Sequence, residues 1–149
     1  MKSIRVTSRL RSLGTGLVVT AALAAWAAVS TAGDGISTAD DASKPFLVKI
    51  HADWCGTCTR MNPTFEVLEK KVGEEARIVV LDVTDKETVA ASTAEADRLG
   101  LRTFFDQYQS KTGTVGVLRG DTRETVEIMK GVTDEARYEA ALNRARAAS

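Results

Sequence analysis

Apolar and polar positions alternate along the chain in a pattern that changes period several times after residue 44. Phe46 to His51, FLVKIH, is a short, mostly apolar run led by Pro45, and its length fits a buried strand rather than a helix. Met61, Phe65, Leu68 and Val72 then recur at spacings of four and three, which predicts a helix over 53–72, closed by Gly73. Pro63 lies inside it and removes a backbone donor, so a kink is expected about two turns in. Arg77 to Val83 is β-branched and reads as a second strand, completing a βαβ unit. Asp85 starts a helix running to Leu99, with Val89, Ala90, Ala94 and Ala96 to Leu99 as its small-residue face. Gly100 interrupts it, and Leu101 to Ser110 forms a further short helix with Phe104, Phe105 and Tyr108 on one side, ended by the turn Lys111-Thr112-Gly113. The spacing of these aromatics is helical, which suits core more than a substrate surface.

The last third of the chain reads as a hairpin and a helix. Thr114 to Leu118 and Thr125 to Met129 flank RGDTRE, whose glycine and aspartate signal a turn between antiparallel strands. Gly131 ends the second strand. A helix over 133–147 follows, with Thr133 as N-cap, acids in its first turn, Arg144 and Arg146 in its last, and a buried stripe of Tyr138, Ala141, Leu142 and Ala145. The order β-α-β-α-α-β-β-α predicts one mixed sheet with helices on both faces.

The first 44 residues have a different character. A basic stretch, Met1 to Arg11, precedes the apolar run Leu13 to Val29 and then the small residues Ser30-Thr31-Ala32-Gly33. Positive, then apolar, then small is the order of a secretory signal peptide, with cleavage expected after Ala32. An uncleaved membrane anchor is the other reading, since the run spans about 25 Å as a helix, near the lower limit for crossing a bilayer. Either places the domain outside the cytoplasm, periplasmic or secreted. Residues 33–44, GDGISTADDASK, read as a flexible linker, and 45–149 as the one folded domain. Beyond residue 32 the chain carries 16 basic and 20 acidic side chains, a net charge of −4. That balance offers no basic face for nucleic acid.

Chemistry concentrates in the two cysteines, spaced Cys55-Gly56-Thr57-Cys58. At a strand-to-helix junction such a pair falls on the first helical turn, its sulfurs share one face, and its Cα atoms come close enough to bridge. Unpaired N–H groups and the helix dipole there favour thiolate and make Cys55 the nucleophile. A purely structural bridge fits less well, because closing a loop of about four residues stabilises by roughly 2 kcal/mol against about 4 for a loop of about 50. A metal site is a third reading, with His51 beside the two thiolates, but structural zinc takes four ligands and His51 is the chain's one histidine. The expectation is redox chemistry with no bound cofactor and no metal. His51 itself is expected to be a packed or hydrogen-bonded histidine, and Asp53 an exposed residue able to cap the helix.

Phe46 to Pro63, FLVKIHADWCGTCTRMNP, resembles the active-site segment of the thioredoxin superfamily: a buried strand, Ala52-Asp53-Trp54, the Cys-x-x-Cys pair, and a proline five residues later. The resemblance implies a thioredoxin-like three-layer α/β fold, a central mixed sheet of about four strands flanked by helices, without the first strand and helix of full-length thioredoxins. It implies a monomeric thiol:disulfide oxidoreductase in which Cys55 attacks a substrate disulfide and Cys58 resolves the mixed disulfide, with Trp54, Gly56 and Thr57 shaping the active-site surface. Its partners would be protein thiols and disulfides, together with a redox partner protein that an exported domain would find at the membrane. Either direction of electron flow is compatible with the sequence.

The segment departs from the family pattern at three places. Thr57 stands where thioredoxins usually have proline between the cysteines. Lys49 matches the strand position that is usually a buried aspartate; it would either favour thiolate at the sulfurs or snorkel to solvent. The usual cis-proline before the third strand has no counterpart, and Gly113 and Thr114 are expected to form that substrate-docking loop. The rival reading is a non-catalytic thioredoxin-like binding module, or a protein that captures a soft metal such as copper through the same cysteines.

Overall fold

The computed structural model describes residues 39–147. The expected signal segment and the first part of the linker lie outside the described residues. Within them, no helix is long and apolar enough to cross a membrane.

Four strands and five helices form a three-layer α/β fold in the order α1 (Ala39–Ser43), β1 (Phe46–His51), α2 (Gly56–Val72), β2 (Arg77–Asp82), α3 (Lys86–Leu99), α4 (Arg102–Tyr108), β3 (Thr114–Leu118), β4 (Thr125–Lys130) and α5 (Glu135–Ala147). The strands make one mixed sheet of order β2-β1-β3-β4. β1 runs parallel to β2, as a βαβ crossover requires, and antiparallel to β3. β3 and β4 form the expected hairpin, with a register shift at Val117/Leu118.

Period-two alternation along β1 explains why there are two cores. Phe46, Val48 and Ile50 point to one face, where they meet Leu81, Ala96, Leu101, Phe104 and Phe105 under α3 and α4. Leu47 points to the other, joining Met61, Phe65 and Leu68 of α2 and Tyr138, Ala141, Leu142 and Ala145 of α5. The expected stripes of α2 and α5 are therefore the buried ones, and the aromatics of α4 are core. Lys49 lies on the same face as Leu47, so a lysine occupies a core position between β1 and α2.

The strands fall where the apolar pattern put them, with β2 one residue shorter and β4 one longer. Helix starts differ more. α2 begins at Gly56 rather than 53, because Cys55 in extended conformation is the N-cap. α3 starts as expected behind Asp85, whose carboxylate accepts from the amides of Glu87 and Thr88 in a capping box. Its buried residues are Ser92 and Ala96, however, while Ala90 and Ala94 are exposed. α5 begins at Glu135, with Asp134 rather than Thr133 accepting the amide of Ala136. The Thr133 carbonyl instead accepts from the Thr64 hydroxyl, tying α5 to α2. Pro63 sits inside α2, which continues without a break to Val72.

The described end of the lead-in is helical. Residues 39–43 form the short helix α1, and Arg77 at the start of β2 donates to the carbonyl and carboxylate of Asp41. No strand precedes β1 among the described residues.

Candidate active site

β1 ends at His51, and the chain turns through Ala52-Asp53-Trp54 before α2 begins. The turn closes with the Cys55 amide donating to the Ala52 carbonyl at 3.0 Å. Cys55 and Cys58 thus fall on the first turn of α2, where they form a disulfide with a Cα–Cα distance of 5.2 Å. The Cys58 amide donates to Cys55 Sγ at 3.1 Å, so the sulfur caps the helix with which the bridge closes. A hydroxyl or carboxylate usually does this; here the nucleophile candidate itself sits in the field of the helix N-terminus.

The two sulfurs are not equivalent. Cys55 keeps 7% of its surface exposed while Cys58 keeps none. Cys58 Sγ lies 3.7 Å from the Ile50 carbonyl and packs with Ala52 against Val83. Around Cys55 the surface is made by Trp54, Gly56, Thr57 and the loop before β3. Trp54 is 66% exposed, the most exposed large apolar side chain described. Its indole N–H donates to the Thr84 carbonyl at 3.2 Å, and the Thr84 hydroxyl accepts the Asp53 amide at 3.0 Å. Thr84 is in turn held by Asp82. Thr84 was not singled out in the sequence because its role depends on the loop after β2 folding back over the turn.

The loop before β3 meets the disulfide without a proline. Gly113 has φ 76°. A Cβ built there would stand 3.0 Å from Thr57 Cγ2 and 3.8 Å from Cys55 Sγ, so glycine leaves the room that brings this loop onto the redox pair. Its amide donates to the Ile50 carbonyl and its carbonyl accepts from the Gly131 amide. Thr114 is buried as the first residue of β3. Thr112 is the half-exposed member of the loop.

Lys49 does not snorkel. It is 2% exposed, and its ammonium nitrogen lies 2.7 Å from Asn62 Oδ1, 3.5 Å from the Cys58 carbonyl and 4.7 Å above the Phe65 ring. Burial pushes its pKa below the ordinary lysine value. The group forms the floor of a cavity of about 250 Å³ lined also by His51, Asn62, Glu66, Glu69 and Val80. Asn62 is a site residue that sequence reasoning missed. Its one signal is its place four residues after Cys58 on the helix.

His51 is partly buried, with Nε2 3.3 Å from Asp53 Oδ1. Asp53 is exposed and pairs with this histidine instead of capping α2. Ligand atoms of His51, Asp53 and Asp82 lie within 4.8 Å of one another. His51 Nδ1 is buried without a partner, whereas a metal-bound imidazole normally donates its second N–H to an acceptor. The trio therefore fits a hydrogen-bonded histidine better than a metal centre, and it does not include the cysteines.

Comparison with known proteins identifies the family. The thioredoxin family profile matches residues 36–100. A thioredoxin of Borreliella burgdorferi is 30% identical over 83 residues, covering 56% of this chain and 70% of that protein. A protein disulfide-isomerase of Schizosaccharomyces pombe is 40% identical over 43 residues, 29% of this chain but only 12% of that much longer one. Among solved structures, a thioredoxin-like protein in its oxidised form superimposes with a TM-score of 0.49 at 16% identity, over 72% of this chain and 80% of that one. The chain belongs to the thioredoxin superfamily. With its Cys-x-x-Cys disulfide it is a thiol:disulfide oxidoreductase of thioredoxin type.

Proposed function

We propose that the chain is an exported oxidoreductase that exchanges its Cys55–Cys58 disulfide or dithiol with protein substrates. Cys55, the less enclosed of the two and at the helix N-terminus, attacks the substrate disulfide. Cys58, buried behind it, displaces the substrate from the mixed disulfide so formed. The observation that carries this assignment is the asymmetry of the pair: Cys55 keeps 7% of its surface exposed and its sulfur caps the helix, while Cys58 keeps none exposed and is bonded to it. Exchange needs that division, because the attacking thiol must be ionised and accessible and the resolving thiol must wait.

The exposed Trp54 and the Thr112 to Thr114 loop flank Cys55 and would receive the substrate chain. The Gly113 amide and carbonyl are taken by Ile50 and Gly131, so Gly113 shapes this dock rather than bonding substrate through its backbone. Export is supported by the basic, apolar and small-residue order of residues 1–32. An exported member needs a redox partner protein, membrane-bound where electrons come from the cytoplasm.

Insulin-disulfide reduction by the purified domain tests the chemistry. Turnover should be lost in Cys55→Ser, and Cys58→Ser should accumulate a mixed disulfide with insulin. Absence of turnover in the wild type, together with tight Cu(I) uptake, would favour the binding module instead. Export is tested separately by expressing the whole chain and sequencing the N-terminus of the protein recovered outside the cytoplasm. A product retained in the cytoplasm and beginning at Met1 would overturn that half of the reading.

A further inference from the structure

Three segments of the chain converge on Thr57, between the two cysteines. Thr57 lies on the first turn of α2, and its methyl carbon stands 3.0 Å from where a Cβ of Gly113 would be and 3.1 Å from that of Gly131. The Gly131 amide donates to the Gly113 carbonyl at 3.0 Å, joining the loop after β4 to the loop before β3. Each segment brings one exposed cation: Arg60 on α2, Lys111 two residues before Gly113, and Lys130 next to Gly131. None brings an acid, because residues 54–65, 107–118 and 128–133 contain no Asp or Glu. The excess is local, since beyond residue 32 the chain has 16 basic against 20 acidic side chains.

The three cations also lack partners of opposite charge. Among the described residues no carboxylate lies within ion-pair distance of any of them. The arginines of α3, α4 and α5, by contrast, are all ion-paired. One guanidinium N–H of Arg60 donates to the Thr57 hydroxyl at 3.2 Å, which holds the group beside the redox pair with donors left for a carboxylate. The Lys111 ammonium rests over the Tyr108 ring, 4.9 Å from its centre.

Beyond Trp54 the composition is reversed. The indole is fixed to the loop after β2. That loop and the start of α3, together with the active-site turn, carry Asp53, Asp82, Asp85 and Glu87 against Lys86. β2 and β4 are opposite edges of the sheet, and β1, which leads into Cys55, lies between them. The acidic and basic sides therefore flank Cys55 from different directions.

We propose that the preferred substrates carry Asp or Glu on one side of the cysteine that Cys55 attacks, on the stretch of chain that passes over Thr57. The proposal rests on the exchange reaction assigned above and names its substrate class. Arg60, Lys111 and Lys130 supply the complementary charge, while the carboxylates beyond Trp54 disfavour a second acidic stretch on that side. A single exposed ion pair contributes little, but three cations around one point with no acid among them act together on encounter and on register.

The test uses the reduced wild-type protein and synthetic peptides whose single cysteine is blocked as a disulfide with thionitrobenzoate. The Cys55 thiolate attacks the peptide sulfur, thionitrobenzoate leaves as a coloured thiolate, and Cys58 then displaces the peptide thiolate to close the Cys55–Cys58 bond. A pair of Glu or a pair of Lys stands either before or after the peptide cysteine. On one side the Glu peptide should react about tenfold faster than its Lys counterpart at low ionic strength, and on the other the two should agree within about twofold. The gap should close to about twofold in about 1 M salt, where the screening length falls to about 3 Å. The domain's overall negative charge favours the Lys peptides, so a Glu preference reports the local face. Rates within about twofold on both sides would overturn the proposal, and this comparison needs no variant. Arg60→Gln, Lys111→Gln and Lys130→Gln combined should reduce the ratio to about twofold or less, whereas Lys70→Gln, at the far end of α2, should leave it as in the wild type. A ratio unchanged in the folded triple variant would equally overturn it. Failure of the exchange reading would show in a different place, as absence of thionitrobenzoate release from every peptide, and would remove both.

Discussion

The backbone amide of Cys58 points at the sulfur of Cys55, 3.1 Å away, so the residue that waits to resolve also helps to hold the residue that attacks. In the disulfide form the helix N-terminus is aimed at Cys55 while Cys58 is enclosed, and the same arrangement is expected in the dithiol. Brief treatment of the reduced protein with iodoacetamide at neutral pH should therefore modify Cys55 alone, as read by peptide mass spectrometry. Equal labelling of both cysteines would remove the asymmetry on which the division of roles depends.

Gly113 is where the absence of a proline has its local consequence. Its left-handed φ is open to glycine, and its missing side chain lets the loop approach Thr57 and Cys55. Gly113→Ala should cost about 1–3 kcal/mol in urea denaturation, from the backbone strain plus crowding against Thr57. It should also reduce insulin turnover, because the loop must retreat from the sulfurs. Adding Thr57→Ala should return the crowding part and leave the backbone part. No recovery in the double variant would mean that the loop has moved as a whole.

Much of this architecture could be read from spacing. All four strands and the apolar stripes of α2 and α5 were visible because burial on a sheet or helix face leaves a periodic trace. What escaped was set by geometry at single positions. Nothing in the sequence distinguishes Cys55 from Asp53 as the cap of α2, or Asp134 from Thr133 as the cap of α5, until the chain's turn direction is known. Val89, Ala90 and Ala94 are small enough to sit on either side of α3, so their composition could not say which face was inward. Lys49 departs from the family pattern in the sequence, but its burial depends on Asn62 and Phe65 arriving from α2, an arrangement between two elements that neither shows alone.

Tyr138 offers a pH test of the α2–α5 core. It is fully buried, its ring packs edge-on against Phe65, and its hydroxyl donates to the Val132 carbonyl at 2.7 Å. Burial raises its pKa from 10.0 to about 12, so the folded state favours the neutral phenol. The resulting stabilisation is complete below the unfolded value of 10.0 and is lost as pH rises toward about 12. Tyr138→Phe should cost about 1–2 kcal/mol near neutral pH, where the Val132 carbonyl loses its donor. The gap between the two proteins' urea midpoints should narrow above about pH 10. A gap that widens there would reverse the sign of this argument.

Trp54 separates recognition from folding. Its ring is exposed beside Cys55, yet its N–H is fixed to the loop after β2 through Thr84, so the apolar face is presented in a set orientation. A large aromatic held this way suits contact with a protein substrate more than with a small reagent. Trp54→Ala should lower kcat/KM for insulin about tenfold, the loss of one well-placed aromatic contact. The reaction of reduced protein with a small aromatic disulfide should stay within about twofold of wild type, because the thiolate and its helix are untouched. Stability should change by no more than about 0.5 kcal/mol, as for other surface substitutions. Equal losses with both disulfides would instead assign Trp54 to the chemistry of Cys55, and a large fall in the urea midpoint would assign it to holding the active-site turn.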